Sequence, residues 1–207
     1  MILNLFSNQI WKVNLNIEKE FGDNLLNQIN LDYKKNQKIK KPDWNCNVYT
    51  TIDSNNNIDY SGLLYQFKNE YIKFSEKNNL NAHNFCIKNI WYNYYLKNSN
   101  QEIHDHIDNN CFYSGVFFLK INDKHPPITF YNYTNAHLFY SSNTLLRQAY
   151  KKESIDHSVV YPYFTLDIKE NDFIIFPSYL PHGVFVQRTD EPRITISMNF
   201  TLENTND

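Results

Sequence analysis

Three of the seven histidines stand where they can share one metal ion. His104 and His106 flank Asp105. Side chains two apart on a strand project from one face, so both imidazoles can aim at a single point, and Asp108 continues that face. The third, His182, lies in Phe176-Pro177-Ser178-Tyr179-Leu180-Pro181-His182-Gly183-Val184, where a strand ends, turns through two prolines and restarts. Two ligands from one strand and one from a distant strand cap a triangular face of an octahedron and leave three adjacent positions open, which suits non-haem Fe(II). A His-x-His is weak evidence on its own, since paired strand histidines without a metal are at least as common. His83, His125, His137 and His157 are scattered and have no partner at ligand spacing, so they read as surface or core residues.

Arg193 follows His182 by eleven residues and strengthens the case. It opens the run Arg193-Ile194-Thr195-Ile196-Ser197-Met198-Asn199-Phe200, in which every odd position is polar and every even position apolar. In an ordinary two-layer sheet the polar set faces water. The alternative is that it lines a cavity holding an anion: an arginine fork fits a carboxylate, and a hydroxyl two residues on adds a donor. An α-keto diacid would reach the metal at one end and this arginine at the other.

The elements that must position these groups change character along the chain. Residues 10–15 alternate as a short strand. Residues 17–36 read as a helix with Ile17, Phe21, Leu25, Ile29 and Tyr33 every four residues, and 34–41 as a solvated basic loop. Residues 61–77 form a second amphipathic helix with Leu64, Phe67, Tyr71 and Phe74 on one face and Ser61 as its cap. Strands are expected at 85–96, 102–107, 113–121, 128–131, 159–166, 172–176, 182–187 and 193–202. Short strands with turns every eight to twelve residues favour a sandwich or barrel over a parallel sheet, which makes the chain α+β and mainly β. The irregular stretch 132–161 is the candidate substrate loop, with Tyr140, Arg147, Tyr150, Lys151 and Lys152 as candidate contacts. Trp91, Phe117 and Phe118 read as core.

With 207 residues, 42% hydrophobic and 20% charged, the chain is a folded globule, and one domain spanning 1–207 is expected. A net charge of −2 gives no support to a nucleic-acid surface. Cys46, Cys86 and Cys111 have no CxxC spacing and read as reduced thiols. No apolar run is long enough for a membrane span and the start lacks a basic leader, so a cytoplasmic location is expected. The 32 asparagines look like low-GC composition, which warns against reading function into any one of them.

The chain resembles the 2-oxoglutarate- and Fe(II)-dependent oxygenases, in particular a group of small bacterial and phage-encoded ones. The matching stretches are Leu5-Phe6 with Trp11, Trp91-Tyr92-Asn93, His104-Asp105-His106, Ser114-Gly115-Val116-Phe117-Phe118-Leu119, Phe173-Ile174-Ile175-Phe176-Pro177-Ser178, Leu180-Pro181-His182-Gly183-Val184 and Arg193 to Asn199. The resemblance implies a double-stranded β-helix (jelly roll) over 85–203, buttressed by the helical segment 1–84. It implies Fe(II) as metal, 2-oxoglutarate as co-substrate held by Arg193, and O2 as reactant. Hydroxylation of an unidentified small molecule or protein side chain, with 2-oxoglutarate leaving as succinate and CO2, is the implied activity. For a phage-encoded chain the workplace is the host cytoplasm. His182 corresponds to the distal ligand. If His104 is the first ligand, His106 takes the carboxylate position and the site has three histidines; if His106 is first, Asp108 restores the usual His-x-Asp. The Ser-Gly-aromatic that follows favours His104 and His106. Under this reading Thr195 and Ser197 are further donors to the co-substrate, and Asn93 orients a metal-binding group.

Three rivals carry different chemistry. A cupin-type metalloenzyme without a keto acid shares the His-x-His but gives no reason for Arg193. A non-catalytic jelly-roll binding module makes the histidines incidental. A zinc hydrolase needs an acidic base near the metal, and Asp105 points away on an ideal strand.

Overall fold

Leu63, Phe67, Tyr71 and Phe74 recur at helical spacing and are all buried, so helix α2 (Ser61–Lys77) lays one stripe against a sheet. The computed structural model describes residues 8–37, 46–52, 56–80, 85–107, 111–132 and 163–202. Helix α1 (Lys19–Asn36) buries Leu25 and Ile29, with Phe21 and Tyr33 packed beside them. Lys34 and Lys35 in its last turn complement the negative end of the helix dipole. Ser61 does not cap α2: it is the first helical residue, its own N–H is satisfied by the Asp59 carboxylate at 2.9 Å, and Tyr60 precedes it without a side-chain cap.

The strands in chain order are β1 (Trp11–Asn14), β2 (Tyr49–Thr50), β3 (Phe85–Tyr95), β4 (Gln101–His104), β5 (Tyr113–Lys120), β6 (Ile128–Tyr131), β7 (Tyr163–Thr165), β8 (Asp172–Pro177), β9 (His182–Val184) and β10 (Arg193–Leu202). They form two antiparallel sheets, one ordered β1-β8-β5-β10-β3-β2 and the other β4-β9-β6-β7. With two helices among the described residues, the fold is α+β and mainly β. The short β2, which pairs Tyr49 with Tyr94, was not legible as a strand.

β10 explains the layering. Its even residues Ile194, Ile196, Met198 and Phe200 join the core beneath the helices, where Tyr71 stacks on Phe200 at 4.5 Å and Phe67 on Phe173 at 4.6 Å. Burying a side chain such as Phe67 contributes about 1.5–3 kcal/mol. Tyrosine hydroxyls fasten α1 to β3: Tyr92 donates to Asp32 at 2.5 Å and Tyr94 to Asn30 at 3.0 Å. The opposite face of the large sheet meets the small one through Val116, Phe118, Ile128, Phe130, Ile174 and Phe176. Phe117 and Phe118 are core, as expected.

The candidate loop 132–161, apart from Asn132, and its five named contacts lie outside the described residues, as do His83, Asp108, His137 and His157. His125 is a satisfied interior residue: its Nδ1 accepts from the Asn122 N–H at 2.9 Å and its Nε2 donates to the Glu191 carbonyl at 3.0 Å. No helix among the described residues is long and apolar enough to cross a membrane.

Candidate metal centre and anion pocket

β4 and β9 are antiparallel neighbours, and their register sets His104 directly opposite His182. Facing residues of such a pair share one side of the sheet, so the two rings meet at 4.4 Å between centroids. His106 arrives by a different route from the one its spacing suggests. The strand expected over 102–107 stops at His104, because the His106 N–H is captured by the Ser178 carbonyl at 2.9 Å instead of continuing the ladder. The reach of His106 therefore comes from a segment pinned to the β8–β9 connection. Its ring lies 5.2 Å from His104 and 5.3 Å from His182. One ligating atom of each histidine falls within 4.8 Å of the others, and no other group of His, Cys, Asp and Glu does so among the described residues.

Second partners fix the tautomers. His104 Nδ1 lies 2.8 Å from the Glu102 carbonyl and His182 Nδ1 lies 3.0 Å from the Leu180 carbonyl. Carbonyls only accept, so both Nδ1 atoms carry the proton and both Nε2 atoms present a lone pair. Burial pushes the His106 ring down to about 4, with His104 adding to the effect, and holds His182 well below its ordinary range, helped by both neighbours. His104 is lowered by burial too. All three are thus neutral at pH 7, the form that ligates a divalent metal. Asp105 is exposed, and its carboxylate accepts the Ile107 N–H at 3.2 Å, away from the trio.

The polar face of β10 looks into a cavity that the histidines also line. Arg193 is 1% exposed, and its Nε and Nη1 have no partner among the described residues. The guanidinium lies 4.8 Å over the Tyr95 ring and 5.7 Å over Phe118. Leaving a charge buried without a counter-ion costs several kcal/mol, so this end of the cavity is built to receive an anion. Thr195 and Ser197 sit beside it, with Asn93 Nδ2 donating to Ser197 Oγ at 3.0 Å and to Thr195 Oγ1 at 3.4 Å. Asn93 therefore holds both of these hydroxyls. Val116, Ile128, Phe176 and Val184 make the apolar wall.

Three contributors escaped sequence reasoning. Trp91 is buried, as expected of a core residue, but it also lines the cavity, with its ring 6.1 Å from His106. Tyr95 and Gln101 line it too, and the Tyr95 hydroxyl donates to Gln101 Oε1 at 2.5 Å. Residues 91, 93 and 95 share one face of β3, and that period-two pattern was the available signal for Trp91 and Tyr95. Nothing in the sequence pointed to Gln101.

Neutral imidazoles, two of them with fixed tautomers, fit Fe(II), and a buried guanidinium with unpartnered donors among the described residues fits a dicarboxylate in the same cavity. Residues 89–199 match the sequence family described as "Putative 2OG-Fe(II) oxygenase". No curated protein matches the chain. Among solved structures, the chain is similar to a prolyl-4-hydroxylase from Pseudomonas putida, with 8% identity and TM-score 0.62 over 96% of this chain and 95% of that one. It is also similar to the non-haem α-ketoglutarate-dependent carbocyclase SnoK of nogalamycin biosynthesis, with 7% identity and TM-score 0.62 over 95% and 80% of the two chains. HygX from Streptomyces hygroscopicus, solved with nickel and 2-oxoglutarate, aligns with 6% identity and TM-score 0.56 over 96% and 84%. Likeness at such identities concerns the fold.

Proposed function

Because the chain belongs to the 2OG-Fe(II) oxygenase family, whose cofactors are Fe(II) and 2-oxoglutarate, we propose that His104, His106 and His182 hold the iron and that Arg193 anchors the far carboxylate of 2-oxoglutarate. The reaction we assign is hydroxylation of a small molecule or protein side chain, with 2-oxoglutarate converted to succinate and CO2. The observation that carries this reading is the pairing, in one cavity, of a neutral histidine trio with a buried guanidinium that has two unpartnered donors.

When bound, the iron and keto acid together activate O2 and supply the oxidising power. The chain's own part is placement. Arg193 offers a planar fork to one carboxylate, and the Thr195 and Ser197 hydroxyls, held by Asn93, offer further donors beside it. The Glu102 and Leu180 carbonyls hold two imidazoles in the ligating tautomer. Val116, Ile128, Phe176 and Val184 keep water from the reacting groups. We read the two sheets as the halves of a double-stranded β-helix over 85–203, residues 1–84 as its buttress, and 132–161 as the substrate loop, all within one domain of residues 1–207.

The test is anaerobic titration of the Fe(II)-loaded protein with 2-oxoglutarate, following the weak visible band of a keto acid chelated to ferrous iron. The band should form in wild type, vanish in His106→Ala and survive in Asp108→Ala. Arg193→Ala should keep its iron and need far more 2-oxoglutarate. Loss of the band in Asp108→Ala with retention in His106→Ala would move the third ligand to Asp108. Iron bound without a band would favour a cupin-type enzyme, and no iron bound would favour a binding module.

A further inference from the structure

Gln101 lies three residues before His104 on β4 and faces the same cavity, which regular strand geometry forbids. Residues three apart on a strand point to opposite faces. Here the β4–β9 register slips between Gln101 and His104, and the irregularity returns both side chains to the cavity. Gly183 on β9 makes the approach possible, since a Cβ there would lie 3.1 Å from the Gln101 carbonyl and 3.2 Å from that of Glu102.

The orientation of the Gln101 amide is determined by its partners. Its Oε1 accepts the hydroxyl of Tyr95, a residue 1% exposed whose ring carries the Arg193 guanidinium. The amide nitrogen is thereby turned toward His104 and lies 3.4 Å from its Nε2. His104 Nδ1 already donates to the Glu102 carbonyl, so Nε2 is the acceptor in this contact. That lone pair is the one a metal needs.

We propose that Gln101 is a latch on the metal centre: its amide holds the ligating nitrogen of His104 in the metal-free chain, so that the affinity for divalent metal is set below what the trio alone would give. The inference rests on the metal-centre reading above. Gln101 is a positioning residue, acting through His104, and Tyr95 holds it in register. Displacing one neutral hydrogen bond corresponds to about a two- to tenfold penalty on metal affinity.

The experiment is a cobalt(II) titration of the metal-stripped full chain, read by the visible ligand-field spectrum, in wild type, Gln101→Leu and Gln101→Ala, with the thermal melt of each metal-free protein recorded alongside. The expected result is cobalt affinity raised about two- to tenfold in both variants, with the shape of the cobalt spectrum unchanged because the same three nitrogens bind. A purely structural role for Gln101 predicts weaker binding and a lower melt. Equal or weaker cobalt binding in both variants overturns the latch. No cobalt binding by the wild-type chain overturns the metal-centre reading itself, and the latch with it.

Discussion

Replacing Arg193 with methionine should make the ligand-free protein more stable while disabling co-substrate binding. Arg193 is 1% exposed, and its Nε and Nη1 find no acceptor among the described residues. An uncompensated buried charge costs several kcal/mol, and the contacts with the Tyr95 and Phe118 rings return about 1 kcal/mol each. Methionine has a similar length and no charge, so Arg193→Met should stabilise the ligand-free fold by about 1–3 kcal/mol, or about 2–4 °C in Tm per kcal/mol for a chain of this size. Removing a buried fork from a carboxylate costs about 2–5 kcal/mol, which is a loss of about 30-fold to about 5,000-fold in 2-oxoglutarate affinity. Scanning calorimetry of the iron-loaded proteins reads both effects. Without 2-oxoglutarate the variant should melt above wild type, and at saturating 2-oxoglutarate the order should reverse, because only wild type gains from the ligand. A variant that melts lower without ligand, or one that loses less than tenfold in 2-oxoglutarate affinity, would refute the assignment of Arg193 as an anion anchor kept at the expense of stability.

The remaining predictions concern the histidines and their support. In metal-stripped protein the His106 ring is held at about 4, against an ordinary 6.5, so the unfolded chain takes up the proton first as pH falls. Stability is full above about pH 6.5 and declines toward pH 4, by about 2 kcal/mol at pH 5, and His182 adds in the same direction. Urea unfolding at pH 7 and 5 should show this loss, His106→Gln should flatten it, and an unchanged slope in that variant would contradict the burial argument. Gly183→Ala should push β4 away, because the new methyl would meet two backbone carbonyls at 3.1 and 3.2 Å. The expected cost is about 1–3 kcal/mol of stability with a disproportionate, at least tenfold, loss of cobalt affinity, and unchanged cobalt affinity would show that β4 is not held by this contact.

What the sequence made legible follows from where its patterns are one-sided. Phe67, Tyr71 and Phe74 can satisfy only a helix, so the limits of α2 were readable to the residue. The alternation along β10 was equally plain, and the strand runs Arg193–Leu202 as expected. Alternation cannot say whether the polar face meets water or a cavity, since that depends on the second sheet closing over it through Phe130 and Phe176. His104 and His106 were read as partners from their spacing, and His182 from the two-proline turn before it, whereas the register that sets His104 against His182 is written in neither pattern. His106 was identified for an imperfect reason: a carbonyl distant in sequence, that of Ser178, ends the strand and aims the ring. Gln101 was invisible, because its side chain reaches the site only through a slip of register that no local pattern encodes.

β10 has one further consequence, for how such a site diversifies. Each of its residues is answered on both sides: Ile194, Ile196 and Met198 by the helical layer, Arg193, Thr195 and Ser197 by the anion end of the cavity, with β3 and β5 as flanking neighbours. A change of volume on one face displaces the backbone and is felt on the other. The arginine end of the cavity is therefore the slow-changing half, in which two constraints must be met by every substitution. New specificities are expected to accumulate across from it, on the small sheet, where β7 is an edge strand with a neighbour on one side only among the described residues.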